Sequence, residues 1–227
     1  MTVFKEKHLL CTSGENPSVL FALVVGEEEK KDLEEIILCL KEDLHQDFAL
    51  LAYAAEDWDR DLSPWEALPV FGDRPFGGGA ATCLKDLLST LDETLPDLYC
   101  TEDTPVILGG YSLAGLFALW APYQTDRFQG ITAASPSVWF PGWIEYVSSH
   151  SVHTEHIYLS LGDKEEKTRN RVMSTVGDRI RKCHEMYSDG RVKSTTLEFN
   201  PGNHFRDPGL RTAKGLLWTA RQILEET

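Results

Sequence analysis

Apolar residues fall along this chain in two alternating rhythms. Short runs of mostly apolar or β-branched residues occur at Val19 to Val25, Phe48 to Ala54, Val106 to Leu108, Gly130 to Ala134, Ile157 to Leu161 and Thr195 to Phe199. Runs of that length predict strands, and those without polar alternation predict strands buried on both faces. Between them apolar residues recur every three or four positions. From Glu28 to Leu44 they are Leu33, Ile36, Ile37, Leu40 and Leu44, and from Thr82 to Leu95 they are Leu84, Leu87, Leu88 and Leu91. Each set marks one face of a helix whose other face is charged. Leu113 to Ala121, Val172 to Tyr187 and Arg211 to Glu225 complete the predicted helices. Repeated strand–helix units imply an α/β protein with a mostly parallel sheet covered by helices on both faces. Ligands of such sheets bind beyond the carboxyl ends of the strands, so functional residues are expected just after them. The stretch from Ser135 to His156 has room for a loop and one short helix, which predicts no cap domain.

The junction from Pro105 to Trp120 carries the strongest chemical signal. A short apolar strand meets an apolar helix through Gly109-Gly110-Tyr111-Ser112-Leu113-Ala114-Gly115. A serine on so tight a turn is lifted above the sheet edge, as a nucleophile requires. Strand and helix nearly touch there, so small residues are needed two positions to either side, and Gly110 and Ala114 supply them. The competing reading is a glycine-rich turn that only packs closely.

Composition narrows the field. The chain has 227 residues, 42% of them hydrophobic, enough for one good core and most simply a single domain over 1–227. A formal net charge of −14 argues against nucleic acid or an anionic membrane as partner. No basic-then-apolar leader is legible, since Phe4-Lys5-Glu6-Lys7-His8 is polar, and no apolar run approaches a membrane span. The five cysteines are scattered without a C-x-x-C pair, so free thiols and a cytoplasmic setting are expected, with no metal and no cofactor.

A serine hydroxyl needs a base, and the base needs an acid. Of the seven histidines, His204 alone falls in a turn directly after a predicted strand and ahead of the last helix, in Asn200-Pro201-Gly202-Asn203-His204-Phe205. The acid is expected after Ile157–Leu161, where Gly162-Asp163-Lys164-Glu165-Glu166 offers Glu165, Asp163 and, more weakly, Glu166. A solvated charge run opening a helix is the plainer alternative. The backbone N–H of Leu113 is the expected first oxyanion donor. The second is open between the loop after Gly26 and the loop holding Asp57-Trp58. Trp58, Trp65, Trp139 and Trp143 follow strand ends and suit either an aromatic cleft wall or loop rivets. Trp58, Arg60 and Trp139 are the candidate substrate contacts, with pairing of Arg60 to Asp57 or Asp59 the alternative.

Taken together, Gly109 to Trp120, Thr125-Asp126-Arg127-Phe128 with Ser135-Pro136-Ser137-Val138-Trp139, and Gly202-Asn203-His204 resemble the esterase D-like family of α/β-hydrolases. That family is related to feruloyl esterases, S-formylglutathione hydrolases and enterobactin-type siderophore esterases. The resemblance implies an α/β-hydrolase fold, with Ser112 as nucleophile, His204 as base and the acid on Gly162-x-x-Glu165. The chain departs from its feruloyl and formylglutathione members in lacking their His-Gly strand end, and it carries Ala114 where Gly is commoner. The expected function is a serine carboxylic-ester hydrolase working through an acyl-enzyme on a small, sugar-linked or aromatic ester. An acyltransferase, an amide hydrolase and a non-catalytic binding protein on the same fold are the alternatives.

Overall fold

The structure is a computed structural model and describes residues 7–225; Phe4 to Glu6, part of the polar stretch weighed above as a leader, lie outside the described residues. In chain order the elements are β1 (His8–Thr12), β2 (Val19–Val25), α1 (Leu33–Asp43), β3 (Phe48–Ala54), α2 (Trp58–Asp61), β4 (Glu66–Ala67), β5 (Phe76–Gly77) and α3 (Ala80–Thr94). They continue with β6 (Val106–Tyr111), α4 (Ser112–Trp120), β7 (Gly130–Ala134), α5 (Trp143–Ser149), β8 (His156–Gly162), α6 (Val176–Ser188), β9 (Ser194–Asn200) and α7 (Pro208–Leu224).

Seven strands form one sheet in the order β1-β3-β2-β6-β7-β8-β9, all parallel except β1, which runs antiparallel on the β3 edge. The alternation of side chains across a strand sorts the core into two layers. Leu20, Ala22 and Val24 face one side with Leu108, Leu116 and Phe117, whereas Val19, Phe21, Leu23 and Val25 face the other with Leu33, Leu40, Leu216 and Ala220. Every residue of β2 is buried, which is why its sequence reads as an unbroken apolar run. Helices α1 and α7 pack together on one face, and α4 and α6 cover the other.

Differences from the sequence-based expectations are local. The helix predicted from Glu28 begins with a 3-10 turn at Glu29–Asp32 and becomes α-helical at Leu33, and the one predicted from Val172 is α-helical only from Val176. Strand β1 was not foreseen, because its half-exposed pattern lacks a clear period. The glycine-rich run after Phe76 is pinned: Phe76–Gly77 pairs with Glu66–Ala67, and the N–H of Gly79 donates to the Arg60 carbonyl. Among the described residues no helix is long and apolar enough to cross a membrane.

Helix α7 lies unusually close to the sheet. A Cβ on Gly215 would sit 2.5 Å from Thr132 Cγ2 and 2.6 Å from the Tyr158 ring. One turn on, the Thr132 and Thr219 hydroxyls share a buried 2.9 Å hydrogen bond. Because a packed core resists added volume, Gly215→Val is expected to lower unfolding free energy by about 2–3 kcal/mol. A urea titration in which its midpoint equals that of the unsubstituted protein would contradict this packing.

Candidate active site

Ser112 stands at the carboxyl end of β6 and opens α4, and its backbone has a φ of 58°. That left-handed conformation is strained for a residue with a Cβ. The turn is also crowded: a Cβ on Gly110 would lie 2.5 Å from the Ala114 carbonyl. Glycine at 110 is therefore a steric requirement of the junction. The strain holds the Ser112 hydroxyl clear of the sheet, where it lies 3.0 Å from His204 Nε2.

His204 occupies the loop between β9 and α7, and its Nδ1 is 2.7 Å from Glu165 Oε2. With the Nδ1 proton donated to the carboxylate, Nε2 is left to accept from the serine hydroxyl. The other Glu165 oxygen, Oε1, accepts from Ser135 Oγ at 2.7 Å, the Gly162 N–H at 2.7 Å and Arg211 Nη1 at 3.1 Å. Burial by itself pushes the Glu165 pKa up. The hydrogen bond and charge of His204, together with the Ser135 and Gly162 bonds, outweigh burial and hold it below the ordinary carboxylate value. Asp163, the other acid weighed for this position, is turned elsewhere and accepts from the Gly202 N–H at 2.8 Å. It steadies the histidine loop without reaching the imidazole. Glu166 pairs with Arg181.

Two residues at the centre of this arrangement carried no signal in the sequence. The Arg211 side chain on α7 is only 3% exposed. Beyond Glu165, Arg211 Nη1 reaches the Tyr111 hydroxyl and Ser135 Oγ, and Nη2 donates to the carbonyls of Pro201 and Asn203. Tyr111 donates its hydroxyl to the His204 carbonyl at 2.6 Å, and burial pushes its pKa up to about 12. Arg211 sits within an ordinary amphipathic helix pattern, so only tertiary contact distinguishes it. Ser135 belonged to the quoted Ser-Pro-Ser-Val-Trp segment, but its bond to the acid was not foreseen.

The remaining candidates separate. Leu113 follows Ser112 in the first turn of α4, its N–H free of an intrahelical partner by position. Of the two loops weighed for the second oxyanion donor, the one after β2 follows the strand next to β6, which carries Ser112 at its end, whereas β3 is one strand further out. Val24 pairs with Gly110, the last pair of the β2–β6 ladder, two residues before Gly26 on one strand and two before Ser112 on the other. The Gly26 N–H donates to Glu29 Oε2 at 3.1 Å, and burial raises the Glu29 pKa. Trp58 packs against Gly26 and lines a cavity of about 590 Å³ with Glu27, Glu28, Glu29 and Arg74. Trp139 lines a second cavity, about 240 Å³, which His204 and Glu165 also border. Arg60 is brought to neither cavity. Its guanidinium pairs with Asp61, not with Asp57 or Asp59, whereas Arg74 takes Asp57. Trp143 is fully buried, and Trp65 rivets the Pro141 carbonyl, so these two serve packing. Among the described residues no group of three His, Cys, Asp or Glu side chains could hold a metal ion.

No protein-family model matches the chain, and neither does any curated protein. Solved structures do. An IroE-like serine hydrolase from Shewanella oneidensis superposes with a TM-score of 0.72 at 15% identity, covering 93% of this chain and 74% of that one. The siderophore hydrolase EstA from Aspergillus nidulans gives 0.64 at 20% identity, over 95% and 90% of the two chains. Est1E from Butyrivibrio proteoclasticus gives 0.60 at 14% identity, over 99% and 98%. The chain has the α/β-hydrolase fold. Within that fold β6 and α4 form the strand–turn–helix junction, and no cap domain interrupts the chain between β7 and β8.

Two outcomes follow from this geometry. Ser112→Gly should be more stable than Ser112→Ala by about 1 kcal/mol, since both lack the hydroxyl and only glycine is unstrained at this φ. Equal melting temperatures for the pair would contradict the strain. Arg211→Met leaves a buried carboxylate without its guanidinium partner and the Pro201 carbonyl without a donor, and should cost about 3–5 kcal/mol in chemical denaturation. A loss below about 1 kcal/mol would show that the guanidinium is dispensable.

Proposed function

We propose that the protein is a serine carboxylic-ester hydrolase in which Ser112 is the nucleophile, His204 the general base and acid, and Glu165 the residue that orients the imidazole. One observation carries the reading: the unbroken chain of hydrogen bonds from Ser112 Oγ to His204 Nε2 at 3.0 Å and from His204 Nδ1 to Glu165 Oε2 at 2.7 Å. The fold shared with an IroE-like serine hydrolase and a siderophore hydrolase supports the same chemistry.

In the first half-reaction Ser112 Oγ bonds to the ester carbonyl carbon as its proton passes to His204 Nε2. The imidazolium so formed faces a buried, ionised Glu165. The negative oxygen of the tetrahedral intermediate is held by the N–H of Leu113, at the positive end of α4, and by an N–H of the loop after β2. The carbon–oxygen bond to the alcohol then breaks, and His204 returns its proton to the departing oxygen. In the second half-reaction water gives a proton to His204 and its oxygen bonds to the acyl carbon. The bond to Ser112 breaks, the serine recovers the proton, and the carboxylic acid leaves. Each step balances without metal or cofactor. The substrate partner is a small-molecule ester.

Short-chain p-nitrophenyl esters should be hydrolysed, with Ser112→Ala and His204→Ala each losing about 10⁴-fold or more in kcat and Glu165→Gln about 10³-fold or more. A fluorophosphonate probe should label the unsubstituted protein and leave Ser112→Ala unlabelled. Wild-type rates no greater than those of Ser112→Ala across an ester panel would defeat this reading.

A further inference from the structure

Resting on the esterase reading, we propose that the cavity beside His204 receives an aromatic leaving group bearing a carboxylate. The cavity holds about 240 Å³, and its walls include Pro136, Trp139, Met173 and Phe205. An apolar cavity of about 150 Å³ is enough for benzene, so there is room for one substituted ring. Phe205 is 85% exposed although its ring meets His204 edge-on with centroids 5.5 Å apart. A flat ligand seated there would cover it.

The charge at the rim decides what the ring carries. Lys164 and Lys167 both line the cavity, and neither forms an ion pair among the described residues. The acids of the same loop are committed elsewhere: Asp163 to the Gly202 N–H, Glu165 to His204 and Arg211, and Glu166 to Arg181. The run continues with Arg169 and Arg171. Four cations on one loop stand out on a chain whose net charge is −14. The cavity after β2, on the other side of Ser112 in strand order, is instead lined by five acids, Glu27, Glu28, Glu29, Glu56 and Asp57, against three cations, Lys7, Lys30 and Arg74, each of which is paired with one of those acids. An anion is therefore favoured on the His204 side and disfavoured on the β2 side. His204 must hand its proton to the departing oxygen, and its ring borders this cavity, so the group lying here is the alcohol half of the ester.

The test compares 4-butyryloxybenzoate with its methyl ester, a pair differing in one charge, each normalised to its uncatalysed hydrolysis. Wild-type kcat/KM should favour the carboxylate by about tenfold, mostly through KM, and less so at high salt. In Lys164→Ala/Lys167→Ala the ratio should fall to near one, and Lys164→Arg/Lys167→Arg should restore it. Equal kcat/KM for the two esters in the unsubstituted protein, or a preference that survives the double alanine variant, would overturn the proposal while leaving the esterase reading intact. Hydrolysis of neither ester above the Ser112→Ala level would instead remove the esterase reading. Binding of 4-hydroxybenzoate to Ser112→Ala, followed by tryptophan fluorescence, then decides the cavity's preference. Saturable binding lost on removal of the two lysines supports it, and absence of binding overturns it.

Discussion

A carboxylate buried between a guanidinium and an imidazole is the constraint on which this site depends. Glu165 and Arg211 have side chains only 5% and 3% exposed, and charges so far from water persist only when paired and saturated with hydrogen bonds. That demand recruits structure from across the sheet. Arg211 on α7 must reach the acid after β8, the hydroxyl of Tyr111 at the end of β6, Ser135 just after β7 and two carbonyls of the loop after β9. Four strand ends are thereby tied to one helix. The pair contributes little net stability beyond what an apolar replacement would supply, but it allows few arrangements of the loops around it. His204 is held from both sides, by Glu165 at its ring and by Tyr111 at its carbonyl.

The β6–α4 junction meets a different kind of cost. A left-handed serine and a glycine pressed against the next turn are tolerated because β6 lies inside the sheet, between β2 and β7, with every residue buried. The surrounding core over-determines the turn, and strain of order 1–3 kcal/mol is absorbed by contacts made elsewhere. Close packing of α7 against β7 and β8 through Gly215 has the same logic. It brings Arg211, one turn earlier, within reach of groups at the strand ends.

Charge is distributed unevenly around Ser112. Acidic side chains outnumber basic ones in the cavity after β2 and β3, where the cations are paired, and unpaired basic ones gather after β8. Net charge would have led one to expect an aversion to anions everywhere. A local field opposes it because the sheet carries these loops to opposite sides of Ser112.

Much of this protein was legible before any coordinates. Strand runs such as Val19–Val25, the helical period from Leu33 to Leu44 and the Gly-Tyr-Ser-Leu-Ala junction are local patterns, and local sterics and burial decide them. They establish a doubly covered parallel sheet and a serine raised above its edge. The position of His204 just past a strand follows from the same rhythm. What the sequence left open depends on long-range meetings. Glu165 and Arg211 are 46 residues apart, Ser112 and His204 are 92 apart, and no periodicity records that their side chains converge. The choice between Glu165 and Asp163 turned on two residues of loop geometry, and the loss of Arg60 from the cleft on a neighbouring Asp61. Sequence determined the elements and the kinds of chemistry they could carry. Tertiary structure decided which charged groups met in a buried site, because only packing sets loop register to within the length of a hydrogen bond.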